Sequence, residues 1–290
     1  MSNTIDNAAE TPARAMPTRR TAIVTGAGSG LGVDIAAGLA AKGYRVFGTT
    51  LDSDESNADT AVELAHVDIT DTTAVRSWAA HVEEETGGRV DLLINNAGIL
   101  TPGPLEVVPL DAIRREFEVN TFAPLTVVNA FLPQLRSAGG RIVLISTISA
   151  AFPVAFNTAS AASKAAAEAL MIDYRAELHH HGIDVTIVQP GSTLTGGPAR
   201  SAALLDRVIG SLTPDERDLY GDALARFADV FNERQGAGMP SATAAAEVID
   251  IAERTPAPST ATIGDDAAAL HALIQSSTPE ELDALRLQYS

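Results

Sequence analysis

From residue 21 onward the chain alternates short, β-branched apolar runs with longer Ala-rich stretches whose apolar positions recur every three or four residues. The short runs predict strands at 21–25, 44–49, 62–67, 90–96, 140–147, 183–189 and 260–264. Several are apolar throughout instead of alternating, the pattern of parallel strands covered on both faces. The longer stretches predict helices near 30–42, 72–86, 110–137, 160–181, 200–236 and 241–254. Repeated strand–helix–strand succession requires right-handed crossovers, and therefore an α/β fold: a doubly wound, parallel, seven-stranded sheet in one domain. Ligands of such sheets sit at the carboxyl ends of the strands, where the strand order reverses. Residues 197–240 interrupt the alternation just after a strand end, and read as a helical lid over that place.

Charge narrows the possible partners. Among 290 residues, 37 Asp and Glu outweigh 20 Lys and Arg, for a formal net charge of −17. A nucleic-acid surface needs clustered cations to neutralise phosphates, and an anionic membrane would repel this chain. No nucleic-acid or membrane partner is expected. The absence of cysteine removes disulfides, thiolate metal sites and cysteine nucleophiles together. No metal site is expected. No run reaches the ~18 apolar residues of a membrane span. The first twenty residues lack the apolar centre of a secretory signal, so 1–19 read as a disordered tail and the cytoplasm as the expected compartment.

The chemistry starts at TGAGSGLG, residues 25–32, between the first strand and the first helix. Gly26 permits the tight turn, Gly30 lets the backbone approach a pyrophosphate, and Gly32 allows close packing of helix on strand. The helix N-terminus, with Ser29 and Leu31, then presents N–H groups to phosphates. Residues 20–265 are accordingly read as a Rossmann dinucleotide-binding domain, followed by a helical tail at 266–290.

This turn, together with NNAG at 95–98, resembles the short-chain dehydrogenase/reductase family over about residues 20–265. Further family landmarks follow in order. The resemblance implies that Asp68, with Ile69, borders the adenine, and that Asn96, Ala97 and Gly98 border the ribose. It implies that Asn120 in FEVN holds a proton-relay water. In PGSTLT at 190–195, Pro190, Gly191, Thr193 and Thr195 line the nicotinamide end, with Thr195 on its carboxamide. Thr50 and Asp52 fall where the adenine ribose is read. Residues 46–75 contain seven acids and no Lys or Arg, a field that repels an additional phosphate, so NAD is expected rather than NADP. The family's members are homodimers or homotetramers acting on small molecules; here the 110–137 and 160–181 helices would carry such an interface.

The family's proton donor is the tyrosine of a YxxxK motif. In ASAASKAAAEAL the lysine is Lys164, which the resemblance also places on the coenzyme, but four residues earlier stands Ser160. The hydroxyl thirteen residues before it, which polarises substrate oxygen in the family, is Thr147. A phenol's pKa of about 10 is within reach of a neighbouring ammonium, whereas an aliphatic hydroxyl is a far weaker acid with a shorter reach. The 2,4-dienoyl-CoA reductases look similar in having SxxxK, with a tyrosine from the preceding loop; here that loop offers Ser149, Phe152 and Phe156. The expectation is an NAD(P)-dependent oxidoreductase moving hydride to or from a small carbonyl, alcohol or enone, with Asn120, Thr147, Ser160 and Lys164 at the reacting end. The alternative is a coenzyme-binding, weakly active or inactive member serving as a sensor or partner subunit. Tyr174, Tyr220 and Trp78 read as packing residues, and His179, His180 and His181 as a helix end stopped by Gly182.

Overall fold

The structure is a computed structural model that describes residues 19–51, 61–195 and 197–288. Its centre is a seven-stranded parallel sheet of β1 (Thr21–Val24), β2 (Arg45–Thr50), β3 (Val62–His66), β4 (Leu92–Asn95), β5 (Arg141–Ile145), β6 (Asp184–Pro190) and, paired to β6, a last strand at Thr260–Ile263. The spatial order is β3-β2-β1-β4-β5-β6 and then that last strand, so the order reverses between β1 and β4. The doubly wound α/β single domain read from the sequence is the fold observed.

Helices cover both faces because the central strands are apolar on both. On one face α1 (Leu31–Ala41) packs against the helix Ser241–Glu253, with Ile35, Leu39, Val248 and Ile249 on Val24, Val46 and Ile94. On the other lie α2 (Thr72–Thr86), α4 (Ala123–Ala138) and α5 (Thr158–Leu178), which bury Trp78, Phe131 and Met171 against Ile23, Leu93 and Leu144. Trp78 meets the edge of Phe131 at a centroid distance of 5.0 Å, the packing role expected of it. The α2 helix begins at Asp71, whose carboxylate accepts from the N–H groups of Thr73 and Ala74, and stops at left-handed Gly87.

Two helices expected to run unbroken are interrupted. The 110–137 stretch divides into α3 (Leu110–Phe117), a π-helical turn at Glu118–Phe122, and α4. Pro124 is the cause: it has no N–H to give the carbonyl of Asn120, and its ring clashes with that carbonyl in a regular helix. The 200–236 stretch divides into α6 (Gly197–Ser211) and α7 (Pro214–Gly236). There Thr213 and Glu216 form a reciprocal capping box and Pro214 sits in the first turn of α7, a start signal legible in the sequence. Two-residue strands β7 (Thr193–Leu194) and β8 (Met239–Pro240) pair at the base of this excursion. The chain then continues through α8 (Ser241–Glu253), β9 (Thr260–Ile263), α9 (Asp265–Ser276) and α10 (Pro279–Leu287).

A third apolar cluster holds the α6–α7 pair down: Leu205, Leu212, Leu224 and Phe227 gather around Phe156, which precedes α5 with a φ of 63°. A positive φ on a bulky residue is costly, and burial of its ring among these side chains holds it there. Removing the Phe131 ring should cost about 3–5 kcal/mol of stability, because a void would remain between α2, α4 and the sheet. Denaturant unfolding of Phe131→Ala against wild type, followed by Trp78 fluorescence, measures it.

Candidate active site

Where the strand order reverses, a groove of about 760 Å³ runs along the carboxyl ends of β1, β2 and β4. That size is within the range of ligand clefts. Gly26, Ser29, Gly30, Leu31, Thr50, Asp68, Ile69, Asn96, Ala97, Gly98 and Thr195 line it, so eleven residues singled out from the sequence converge on one surface. Asp52 lies outside the described residues.

Local chemistry explains the turn. Gly26 (φ 65°) and Gly30 (φ 59°) adopt backbone conformations that L side chains rarely take. A Cβ on Gly32 would stand 2.0 Å from the Gly26 carbonyl oxygen, so only glycine lets α1 begin there. The end of β4 is tied to this turn: Asn96 Nδ2 donates to the carbonyls of Thr25 (3.0 Å) and Gly26 (3.2 Å). The Thr25 hydroxyl in turn accepts from the N–H groups of Asn96 and Ala97. No side chain caps the N-terminus of α1. Its N–H groups therefore face the groove unoccupied by side-chain acceptors, the arrangement a phosphate anion requires, and the residues present fit a dinucleotide.

In the same groove, Asp68 accepts from the backbone N–H (2.9 Å) and hydroxyl (2.7 Å) of Thr70 and pairs with Arg115 at 3.4 Å. Burial alone would raise its pKa, but the Thr70 hydrogen bonds and Arg115 hold it below the ordinary carboxylate range. Arg115 and Arg207, neither singled out from the sequence, also line the groove. They are distant in sequence from the glycine turn, so only the fold reveals them.

Behind Gly98 lies Lys164. It is buried, with Nζ donating to the Ile145 carbonyl at 2.9 Å. A Cβ on Gly98 would come within 3.2 Å of both Lys164 Nζ and Asn120 Oδ1, so glycine here lets the groove approach both groups. Desolvation pulls the Lys164 pKa down to about 8, against the opposing pull of Glu168 and Glu116. Asn120 is fully buried on the π-turn: Oδ1 accepts from Ile99 N–H, and Nδ2 donates to Ile99 O (2.9 Å) and Ser163 Oγ (3.0 Å). Ser160 stands one helical turn before Lys164 on the same face of α5.

Other expected residues fall elsewhere. Gly32 packs α1 and does not line the groove. Thr193 forms β7. Thr147, Pro190 and Gly191 line a second cavity of about 1060 Å³, enclosed by Phe152, Phe227, Phe231 and Leu270 among others. Thr147 also caps the short turn that follows it, accepting from Ser149 N–H at 3.2 Å. Tyr174 donates to Asn129 Oδ1, and Tyr220 to the Glu106 carboxylate, so both phenols have partners outside the groove. One buried group escaped the sequence reading altogether. Glu116, on α3 one turn before Asn120, is completely buried beside Asn120, and Thr101, Ser160 and Lys164 all act on its carboxyl. Its only sequence signal is an acid on the inward-facing side of a short amphipathic helix.

The family model for short chain dehydrogenases matches residues 20–203. The chain belongs to the short-chain dehydrogenase family, and is an oxidoreductase of the class that uses nicotinamide dinucleotides. It is 30% identical to a 3-ketodihydrosphingosine reductase of Bacteroides thetaiotaomicron, over 92% of this chain and 97% of that protein. It is also 34% identical to a 1-deoxy-11-beta-hydroxypentalenate dehydrogenase of Streptomyces avermitilis, over 73% and 89%. Among solved structures, a short-chain dehydrogenase from Streptomyces avermitilis superposes with a TM-score of 0.73 at 27% identity, covering 93% of this chain and 94% of that one. Another, from Burkholderia cenocepacia in complex with NADP, gives 0.72 at 26% identity, over 94% and 99%.

Two outcomes follow. Gly32→Ala should destabilise the protein by about 1–3 kcal/mol or more through overpacking, seen as a lower thermal midpoint. Burial disfavours the charged form of Lys164, so between pH 8 and 10.5 the unfolded chain holds more protons at this position than the folded one. In that window, stability should rise with pH relative to Lys164→Met, at up to ~1.4 kcal/mol per pH unit. Unfolding both proteins across that range gives the slope.

Proposed function

We propose that this chain is an NAD-dependent dehydrogenase/reductase acting on a fairly apolar carbonyl, alcohol or enone, with serine in the place of the family's proton-donating tyrosine. The observation that carries the reading is the meeting of two features. A helix N-terminus with no side-chain cap faces one end of the groove, and a buried ammonium stands behind Gly98 at the other. When bound, the coenzyme supplies or accepts the hydride at its nicotinamide C4.

The chain's own residues do the rest. Gly26, Ser29, Gly30 and Leu31 receive the phosphates on backbone N–H groups, and Asp68 and Ile69 border the adenine. Asn96, Ala97, Gly98 and Thr195 orient the nicotinamide half, with Pro190, Gly191 and Thr193 shaping the strand end beside it. Lys164 holds positive charge where the reacting oxygen gains negative charge. Asn120 fixes the loop carrying Gly98 and Ile99 through its two bonds to Ile99. Thr147 polarises the substrate oxygen, and Ser160 passes the proton. The apolar cavity around Phe152, Phe227 and Phe231 takes the substrate body, with α6–α7 as its lid.

NAD is favoured over NADP by the composition around the adenine-ribose turn, where residues 46–75 carry acids and no Lys or Arg. In the groove itself, Arg115 is engaged with Asp68 and Thr70, and Arg207 with the Ala203 carbonyl. Cytoplasmic location and assembly into a homodimer or homotetramer belong to the same reading. Among the described residues no helix is long and apolar enough to cross a membrane, and exposed Phe122 and Ile172 lie on the π-turn before α4 and on α5.

Calorimetric titration should show NAD binding at least tenfold more tightly than NADP. Equal or reversed affinities would reject the coenzyme assignment, and no association with either would reject the whole reading. With binding retained, Ser160→Tyr should raise turnover of a carbonyl and enone panel, measured by nicotinamide absorbance.

A further inference from the structure

A buried carboxyl group needs a reason to exist, because apolar surroundings penalise its charge and an unpaired polar atom costs stability. Glu116 is fully buried, and its Oε2 has no hydrogen-bond partner among the described residues. Its Oε1 receives a long bond, 3.4 Å, from Asn120 Nδ2. Hydrogen bonding from Thr101, through hydroxyl and backbone N–H, and from the Ser160 hydroxyl also acts on the carboxyl, together with the charge of Lys164 on α5. Thus a buried acid with one unpartnered oxygen lies against the serine and lysine proposed for the reacting end.

We propose that Glu116 is the proton reservoir of this site, delivering its proton through the Ser160 hydroxyl in place of the phenol that the chain lacks. This rests on the dehydrogenase/reductase reading. In the reducing direction the substrate carbonyl carbon takes the hydride, and the C=O π bond breaks to leave an electron pair on oxygen. The Ser160 O–H gives its proton to that oxygen while Ser160 Oγ takes the proton of the Glu116 carboxylic acid. The products are an alcohol, an unchanged serine and a Glu116 carboxylate. Half-buried Thr101 lies on the route by which the carboxylate regains a proton from solvent. In the oxidising direction every transfer runs backwards, and Glu116 is the acceptor.

The arrangement suits this work. Burial pushes the Glu116 carboxyl above the ordinary carboxylate range, while Thr101, Ser160 and Lys164 pull it back. It therefore keeps a proton closer to neutrality than a solvated glutamate would, and its ionised form has an ammonium nearby to receive it. The charged or titratable neighbours are Lys164 on α5 and, beyond it, Glu168, whose carboxylate is bound by Gln189 Nε2 at 2.9 and 3.0 Å. Asn120 on the π-turn is neutral, so Lys164 is the principal group whose titration overlaps that of Glu116.

The test pairs Glu116→Gln with carbon-13 carboxyl titration of the coenzyme-free wild-type protein. The Glu116 resonance should titrate above the ordinary carboxylate range. Glu116→Gln should bind coenzyme within about threefold of wild type, yet turn over substrate roughly 10²–10⁴-fold more slowly. In the reducing direction wild-type rate should fall as pH rises through the Glu116 titration, and that limb should vanish from the variant's profile. Adding Ser160→Tyr to Glu116→Gln should restore turnover, since a phenol beside Lys164 no longer needs the carboxyl. A normal carboxyl titration, or a Glu116→Gln variant that keeps rate and pH profile, overturns the relay alone. A wild-type protein that binds coenzyme but converts no carbonyl, alcohol or enone overturns the catalytic reading and the relay with it.

Discussion

The buried ammonium of Lys164 is the constraint around which the reacting end of the groove is organised. A cation removed from water must be compensated nearby, and here the Ile145 carbonyl at the end of β5 accepts its hydrogen bond while Glu168 supplies opposing charge. Each compensation fixes an element. The bond to Ile145 sets α5 against the sheet, and the closeness of Nζ to the groove requires a residue without a side chain at Gly98. Asn120 holds the neighbouring loop in register with the π-turn. Lys164 therefore joins three segments that are far apart along the chain.

A second constraint acts at the other end of the groove. The backbone of the glycine turn leaves α1 without a side-chain cap, and a helix N-terminus that lacks one is completed by solvent or by an anion. Thr25, Thr49 and Asn96 hold this turn rigid by satisfying its inner carbonyls and N–H groups, so the outer N–H groups alone remain for a ligand. The two ends are positioned by different forces: backbone geometry at one, and compensation of a buried charge at the other. Both depend on the reversal of strand order between β1 and β4, which opens the groove between them.

The α6–α7 pair and the second cavity follow from the chain's departure from strict alternation. Because α6 and α7 have no strand between them, they cannot be held by the sheet, and they pack on each other and on Phe156. Their positions place Ala203, Leu204 and Arg207 along the groove, and Phe227 and Phe231 along the second cavity. The same helix pair thus borders both the groove and the second cavity.

The sequence by itself determined the seven strands and the glycine turn, because each rests on local patterning: apolar runs, helical spacing and residues that tolerate positive φ. Through its resemblance to the family, at SxxxK on α5 and at FEVN, it also singled out Lys164, Ser160 and Asn120. Interruptions at Pro124 and Pro214 had local causes but were masked by continuous helical periodicity on both sides. What only the tertiary structure decided was which groups share a buried volume. Glu116, Arg115 and Arg207 read as ordinary charged helix residues, and Thr147 as a neighbour of Ser160, until folding places the first three at the groove or beneath it and opens Thr147 onto the apolar cavity. Burial and charge compensation are properties of the assembled interior, and no spacing along a single helix encodes them.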